Sequence, residues 1–150
     1  MVSRPAIFFP ILLIAVLLGC SGPVLIFPGG QLKGTPSEIP SDWAFTREIS
    51  TIKLETRLED PYSVNIWVVD VDDKLYVHAG AKRTAWVNHL KVDSAVRVSI
   101  DGMLYEMSAT RVEDSEEFAK MADAYEVKYG RRPKNEHISE IYVYRLGPRS

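Results

Sequence analysis

The sequence holds a single cysteine, Cys20, in 150 residues. An internal disulfide is therefore excluded, and so is a thiolate metal site, which needs several cysteines at fixed spacing. Histidine is almost as scarce. His78, His89 and His137 come from three separate segments and no two lie one helical turn apart, so no metal-ligand spacing arises. An excess of charge is missing too: Lys and Arg number 18 against 20 Asp and Glu, a net charge of −2. That balance argues against a nucleic-acid surface. No apolar run reaches the roughly 20 residues of a membrane-spanning helix. The sequence also lacks a serine-nucleophile motif, a glycine-rich phosphate loop of the nucleotidase kind and any internal repeat. Its paired carboxylates, Asp72-Asp73 and Glu116-Glu117, sit where a turn and a helix start favour acids on structural grounds.

What is present begins with a short apolar run from Ala6 to Leu18, placed behind Arg4, interrupted by Pro10 and closed by Leu17-Leu18-Gly19-Cys20. A basic start, an apolar stretch and small residues at the cut are the parts of an export signal. With the cysteine directly after Leu-Leu-Gly, the segment resembles a bacterial lipoprotein signal. A single transmembrane anchor with an incidental cysteine is the competing reading, and the shortness of the run and Pro10 count against it. The resemblance implies removal of residues 1–19, acylation of the Cys20 thiol with palmitate-type chains, and durable membrane attachment, since each buried methylene contributes roughly 0.8 kcal/mol. The remaining 131 residues carry 17 basic and 20 acidic side chains. Ser21 is not the aspartate that retains lipoproteins in the inner membrane of many Gram-negative cells. The expectation is therefore the outer membrane in such a host and the cell membrane otherwise.

Residues 21–42 contain Pro23, Pro28, Pro36 and Pro40 with Gly22, Gly29, Gly30 and Gly34, a density that breaks both helix and strand patterns. Residues 20–42 are expected to be a lipidated tether, with an apolar patch at 24–27 lying on the domain or at the lipid interface. Trp43 and Phe45 open the folded domain, residues 43–150. There, Ile52, Leu54 and Thr56 alternate with Lys53, Glu55 and Arg57, the period of a strand with one face in a core. Residues 63–71 follow as a long strand, Asp72-Asp73 as a turn and 74–79 as its hairpin partner. Strands 95–100 and 103–112 flank Asp101-Gly102, a strong two-residue hairpin turn, and 141–146 is the last strand. A short helix near Thr84 sets Trp86 and Leu90 on one face, with His89 on its polar side. A longer one is capped by Asp114 with Glu117 reaching back, carries Phe118, Met121, Ala122, Tyr125 and Tyr129 as a core stripe, and stops at Gly130. Six strands and two helices predict a mainly β domain, a small antiparallel barrel with helices across its openings.

The run Leu54-Glu55-Thr56-Arg57, then 62–69, 74–80, Ala85-Trp86-Val87-Asn88-His89-Leu90 and 95–100, resembles the flavin-binding split barrels. These are the pyridoxamine phosphate oxidase-like superfamily and its deazaflavin-dependent nitroreductase branch. The likeness covers residues 48–146, and its most specific piece is 75–83 leading into a helix that opens with Ala-Trp and ends on leucine. It implies a six-stranded split barrel with flanking helices and flavin mononucleotide (FMN) in a groove shared by a homodimer, with deazaflavin or haem as the alternative cofactors. Redox chemistry on a small substrate would follow; a non-catalytic barrel that binds a small ligand or an envelope protein is the other function such a fold hosts. The implied cofactor contacts are Gly80, Lys82, Arg83 and Thr84 around the phosphate, where charged donors and amides at a helix start suit an anion, and Asn65 and Trp67 beside the ring system. Other readings stand next to these. Adjacent cations also suit a solvated loop, Trp67 also suits barrel or dimer packing, and Arg57 suits either a ligand phosphate or a pair with Glu59 or Asp60. Trp67, Tyr142 and Tyr144 are the aromatic area expected at a dimer contact. The chain departs from the deazaflavin branch in lacking its longer Ser-Lys-Gly-Gly type loop after Gly80.

Overall fold

The computed structural model describes residues 28–80, 84–135 and 137–149. Cys20, Lys82 and Arg83 lie outside them. The alternation read in the sequence becomes strands β1 (Thr35–Pro36), β2 (Thr51–Thr56), β3 (Tyr62–Val71), β4 (Lys74–Ala79), β5 (Ala95–Ile100), β6 (Met103–Arg111) and β7 (Tyr142–Pro148). Both tight hairpins turn on left-handed residues: Asp72 and Asp73 at φ 48° and 57°, Asp101 and Gly102 at φ 48° and 80°. Two positive φ values in succession match the right-handed twist of the flanking strands, and Asp and Gly tolerate them best.

The hydrogen-bonded order β6-β5-β2-β3-β4-β7 is antiparallel throughout, and β7 returns to pair with β6 from Met107 opposite Pro148 to Arg111 opposite Tyr144. Six strands thus close into a barrel with no free edge along this ladder. One side of each strand fills the interior: Leu54, Leu75, Val98 and Met107 have no solvent exposure, and Trp86, Val87 and Leu90 of helix α1 (Ala85–Leu90) join the same cluster. Truncating such a leucine to alanine costs about 2–5 kcal/mol.

Helix α2 (Ser115–Tyr129) starts and stops as its sequence dictates. Asp114 accepts from the Glu117 N–H at 2.7 Å, and Gly130 ends the helix at φ 70°. Two expectations are corrected. The Glu117 carboxylate does not reach back to close a capping box; it turns to the barrel wall, accepting from the Tyr76 hydroxyl at 2.8 Å and from Arg145 at 2.6 Å. Nor does α2 cross a barrel opening. It lies on the outer wall, where Phe118, Met121, Ala122 and Tyr125 pack against the outward-facing Val69, Tyr76 and Val143. The wall is apolar there, so it needs a cover, and an amphipathic helix supplies it.

The expected tether also differs where it is described. From Gly29 to Ser37 the chain is held against the barrel: Gly29 and Ser63 exchange two backbone bonds of 2.8 Å, Thr35 bonds the Gly102 carbonyl at 2.9 Å, and Ser37 bonds that of Leu104 at 2.9 Å. Strand β1 adds in parallel to the start of β6. Gly34 passes so close to the β5–β6 turn that a Cβ would collide with the Gly102 carbonyl oxygen. The Pro and Gly density removes any periodic signal, while the partners that hold this arm lie far along the chain. Leu32 is buried, its N–H bonded to the carboxylate of Glu55, which has no exposure and pairs with Arg97 at 2.8 Å.

Glu55 therefore fastens the arm as well as neutralising Arg97. Glu55→Gln should cost about 2–3 kcal/mol by removing a buried charge-assisted pair and should speed protease cutting within residues 28–42. Urea unfolding and limited proteolysis measure both; an unchanged midpoint and cutting rate would refute the role.

Candidate functional site

Alternation along β3 and β4 turns Val68 and Val77 inward and leaves Trp67 and His78 on the outer face, next to the end of α2. Where α2 stops at Gly130, the following residues run past these two side chains. A cleft of about 780 Å³ forms between them, lined by Trp67, His78 and Gly80 from the barrel, Tyr125 from α2, Thr84 at the start of α1, and the stretch Arg131, Arg132, Pro133, Lys134, Asn135 with Ile141.

Its floor is aromatic. Trp67, 36% exposed, stacks on Tyr129 with centroids 4.8 Å apart and planes within 14°, and lies 5.7 Å from Tyr125. Tyr125 in turn meets the His78 ring edge-on at 4.8 Å. The Tyr129 hydroxyl donates to the Ser50 carbonyl at 2.7 Å and accepts from the Val68 N–H at 3.1 Å, anchoring the stack to the barrel. Burial pushes this hydroxyl up to about 12, so it stays protonated.

The rim is cationic. Arg131, Arg132 and Lys134 line it, and no described lining residue is acidic. Arg132 is engaged by Asp123 at 2.6 Å and Glu126 at 2.9 Å, whereas the Arg131 guanidinium sits 4.6 Å from the Trp67 ring. Burial raises the Tyr125 hydroxyl, with the nearby Arg131 charge opposing it.

His78 is half-buried, with both ring nitrogens shielded from solvent. Neither ring nitrogen has a hydrogen bond among the described residues, and burial lowers its pKa to about 4. It is a neutral imidazole at pH 7, with one donor and one acceptor unspent. Buried polar atoms are rarely left so, and at the wall of a cleft such a group suits a ligand.

Of the residues expected at a cofactor, Trp67, Gly80 and Thr84 come together in this cleft. Asn65 shares their strand but is not among the lining residues; it pairs across to Lys53 of β2. Lys82 and Arg83 fall outside the described residues, between two that line the cleft. Arg57 pairs with Asp60 at 3.1 Å. His89 is not simply exposed: its Nδ1 lies 2.8 Å from the buried Thr56 hydroxyl. His137 borders a separate crevice near Phe118. Among the described residues no cluster of metal-ligating side chains occurs. Tyr144 offers no contact area to a second subunit, being 4% exposed and packed at 5.6 Å against Trp86. Tyr142 is covered by the guanidinium of Arg111 at 4.7 Å. The sequence reading passed over Arg131, Arg132 and Lys134. Their signal was the cationic cluster directly after the Gly130 helix stop, visible only as chain composition until α2 is laid on β3 and β4.

A closed six-stranded antiparallel barrel with a helix on its wall is a split barrel, and solved structures share it. A candidate 5-nitroimidazole antibiotic resistance protein of Bacteroides thetaiotaomicron matches at a TM-score of 0.54 and 16% identity, over 69% of this chain and 75% of its own. A candidate pyridoxamine 5′-phosphate oxidase of Listeria innocua matches at 0.54 and 12%, over 71% and 90%. The haem storage protein HutZ of Vibrio cholerae matches at 0.55 and 18%, over 71% and 87%. At these identities the likeness establishes the fold. The sequence gives the family directly: residues 46–143 match the uncharacterized proteins conserved in bacteria grouped as DUF2255, and the chain belongs to that family. Among curated proteins none matches.

The buried His78 has a consequence for stability. Above pH 6.5 both folded and unfolded chains hold it neutral. As pH falls from about 6.5 towards 4 the unfolded chain takes the proton first, and stability drops by about 3 kcal/mol before levelling off. His78→Gln removes this component, so its urea midpoint should vary less between neutral and acid pH than that of the wild type. Equal dependence in both proteins would show that the imidazole is not the group responsible.

Proposed function

We propose that the chain is a lipid-anchored envelope protein whose split barrel binds a planar, anionic cofactor of the flavin or haem type at Trp67, His78 and Tyr125. The observation that carries this reading is the make-up of the cleft: aromatic side, cationic rim, an unpartnered imidazole and no carboxylate among its described lining residues. Tyr125 borders the cleft with its ring, and Trp67, held against Tyr129 and Arg131, fixes the aromatic side of the site. His78 adds its imidazole to the wall of the site, and Gly80 and Thr84 bound it. Bound flavin or haem would supply electron transfer, while the protein binds, orients and excludes water. That solved split barrels include a haem storage protein supports a cofactor-capable barrel without fixing the cofactor.

Binding without catalysis is the second reading, and one observation favours it. His78 is the only described lining residue with an ordinary pKa near neutrality, and it is held neutral down to about 4, so acid–base chemistry would rest on one uncharged imidazole.

Titrating the full-length protein in detergent with FMN, followed by fluorescence quenching, and with haemin, followed by absorbance, tests the cofactor reading. Trp67→Ala should weaken whichever binds by about tenfold, because it removes the ring that supports Arg131 and Tyr125 at the cleft. If neither ligand binds at tens of micromolar, the barrel is a scaffold without this cofactor class. The anchor is tested separately. Cys20→Ser should abolish palmitate labelling and release the protein from membranes, and persistent labelling would refute the lipoprotein assignment.

A further inference from the structure

Arg131 carries a charge that no described carboxylate neutralises. Its neighbour Arg132 is held between Asp123 and Glu126, at 2.6 and 2.9 Å, and so faces α2. Arg131 instead has its guanidinium carbon 4.6 Å from the centroid of the Trp67 ring. The ring cannot easily yield, because it stacks on Tyr129 at 4.8 Å and Tyr129 is bonded to the Ser50 carbonyl at 2.7 Å. A guanidinium laid against an aromatic ring satisfies its face and leaves its N–H fork at the edge. That edge is the part which grips a carboxylate or phosphate with two parallel hydrogen bonds. The Tyr125 hydroxyl takes one hydrogen bond from the guanidinium, and the cleft beside it has no described acidic residue to take the rest of the fork.

We propose that Arg131, stacked on Trp67, is the anion-anchoring residue of the cleft. It takes the carboxylate or phosphate of the bound molecule in a bidentate pair while the body of that molecule lies against Tyr125 and His78. The inference rests on the cleft being a ligand site, and it assigns an anionic contact to the residue after the α2 stop. The shared chemistry is a planar molecule with an anionic arm; phosphate and carboxylate arms are separated by the choice of probe.

The test uses full-length protein in detergent with three probes: FMN, riboflavin, which lacks the phosphate, and haemin, which carries carboxylates. Arg131→Ala should weaken the anionic probe that binds by about 10- to 100-fold, while riboflavin changes by less than about threefold. Arg131→Lys should recover only part of the loss, because it restores charge without the planar fork. A loss of riboflavin binding equal to that of FMN would mean that Arg131 only props Trp67, and would overturn the proposal. So would FMN and haemin binding left unchanged by Arg131→Ala. If wild type binds neither FMN nor haemin, the cofactor reading fails by itself. The anchor is then judged by titrating inorganic phosphate while following the Arg131 side-chain N–H resonance: a saturating shift supports it and no shift overturns it.

Discussion

The pairing of β7 with β6 is the constraint on which the other features depend. Until that ladder forms, six short strands make an open sheet with two reactive edges and one apolar face too many. Closing it gives every strand an inside, and the inside of so small a barrel admits only side chains, which is why Leu54, Leu75, Val98 and Met107 are wholly buried. Closure also fixes an outside. Along β3, β4 and β7 that outer surface is apolar at Val69, Tyr76 and Val143, and α2 must lie across it. The cleft is what remains where the helix ends before the strands do. Its position is thus a by-product of the lengths of α2 and β4, and the chemistry was placed where the scaffold left room.

Much of the scaffold could be read from local chemistry. The Asp101-Gly102 turn, the alternation from Ile52 to Thr56, the Asp114 cap and the Gly130 stop each depend on neighbours within a few residues, and each appears as expected. The placement of α2 did not follow in the same way. Its stripe of Phe118, Met121, Ala122 and Tyr125 says that one face is buried, but a stripe does not say whether it covers an opening or a wall. That is settled by the outward residues of strands that come together only after closure. The arm from Gly29 to Ser37 escaped for a related reason: its order comes from Glu55, Ser63, Gly102 and Leu104, partners without any sequence-local signature.

The cleft shows the same division. Trp67, Gly80 and Thr84 could be singled out because an outward aromatic, a glycine and a helix start are visible along the chain. Tyr125 was legible only as core, and it serves both purposes, since one ring can close a helix–sheet interface and border a cavity. His78 drew notice as a metal-ligand candidate and was set aside for want of partners. The same want of partners in the folded protein is what makes it informative. Arg131 and Lys134 carry no signal in the sequence beyond their charge; only the folded cleft brings them beside Trp67 and Tyr125.

Gly130 ties these observations together. Its left-handed backbone, φ 70°, ends a helix of 15 residues and starts the stretch that forms the cleft rim. An α-helix advances 1.5 Å and turns 100° with each residue. One residue more or fewer in α2 would therefore turn either part of the buried stripe or Arg131 by more than a quarter turn relative to the barrel. The number of residues from Asp114 to Gly130 thus sets at once how the helix covers the barrel wall and where the rim of the cleft begins.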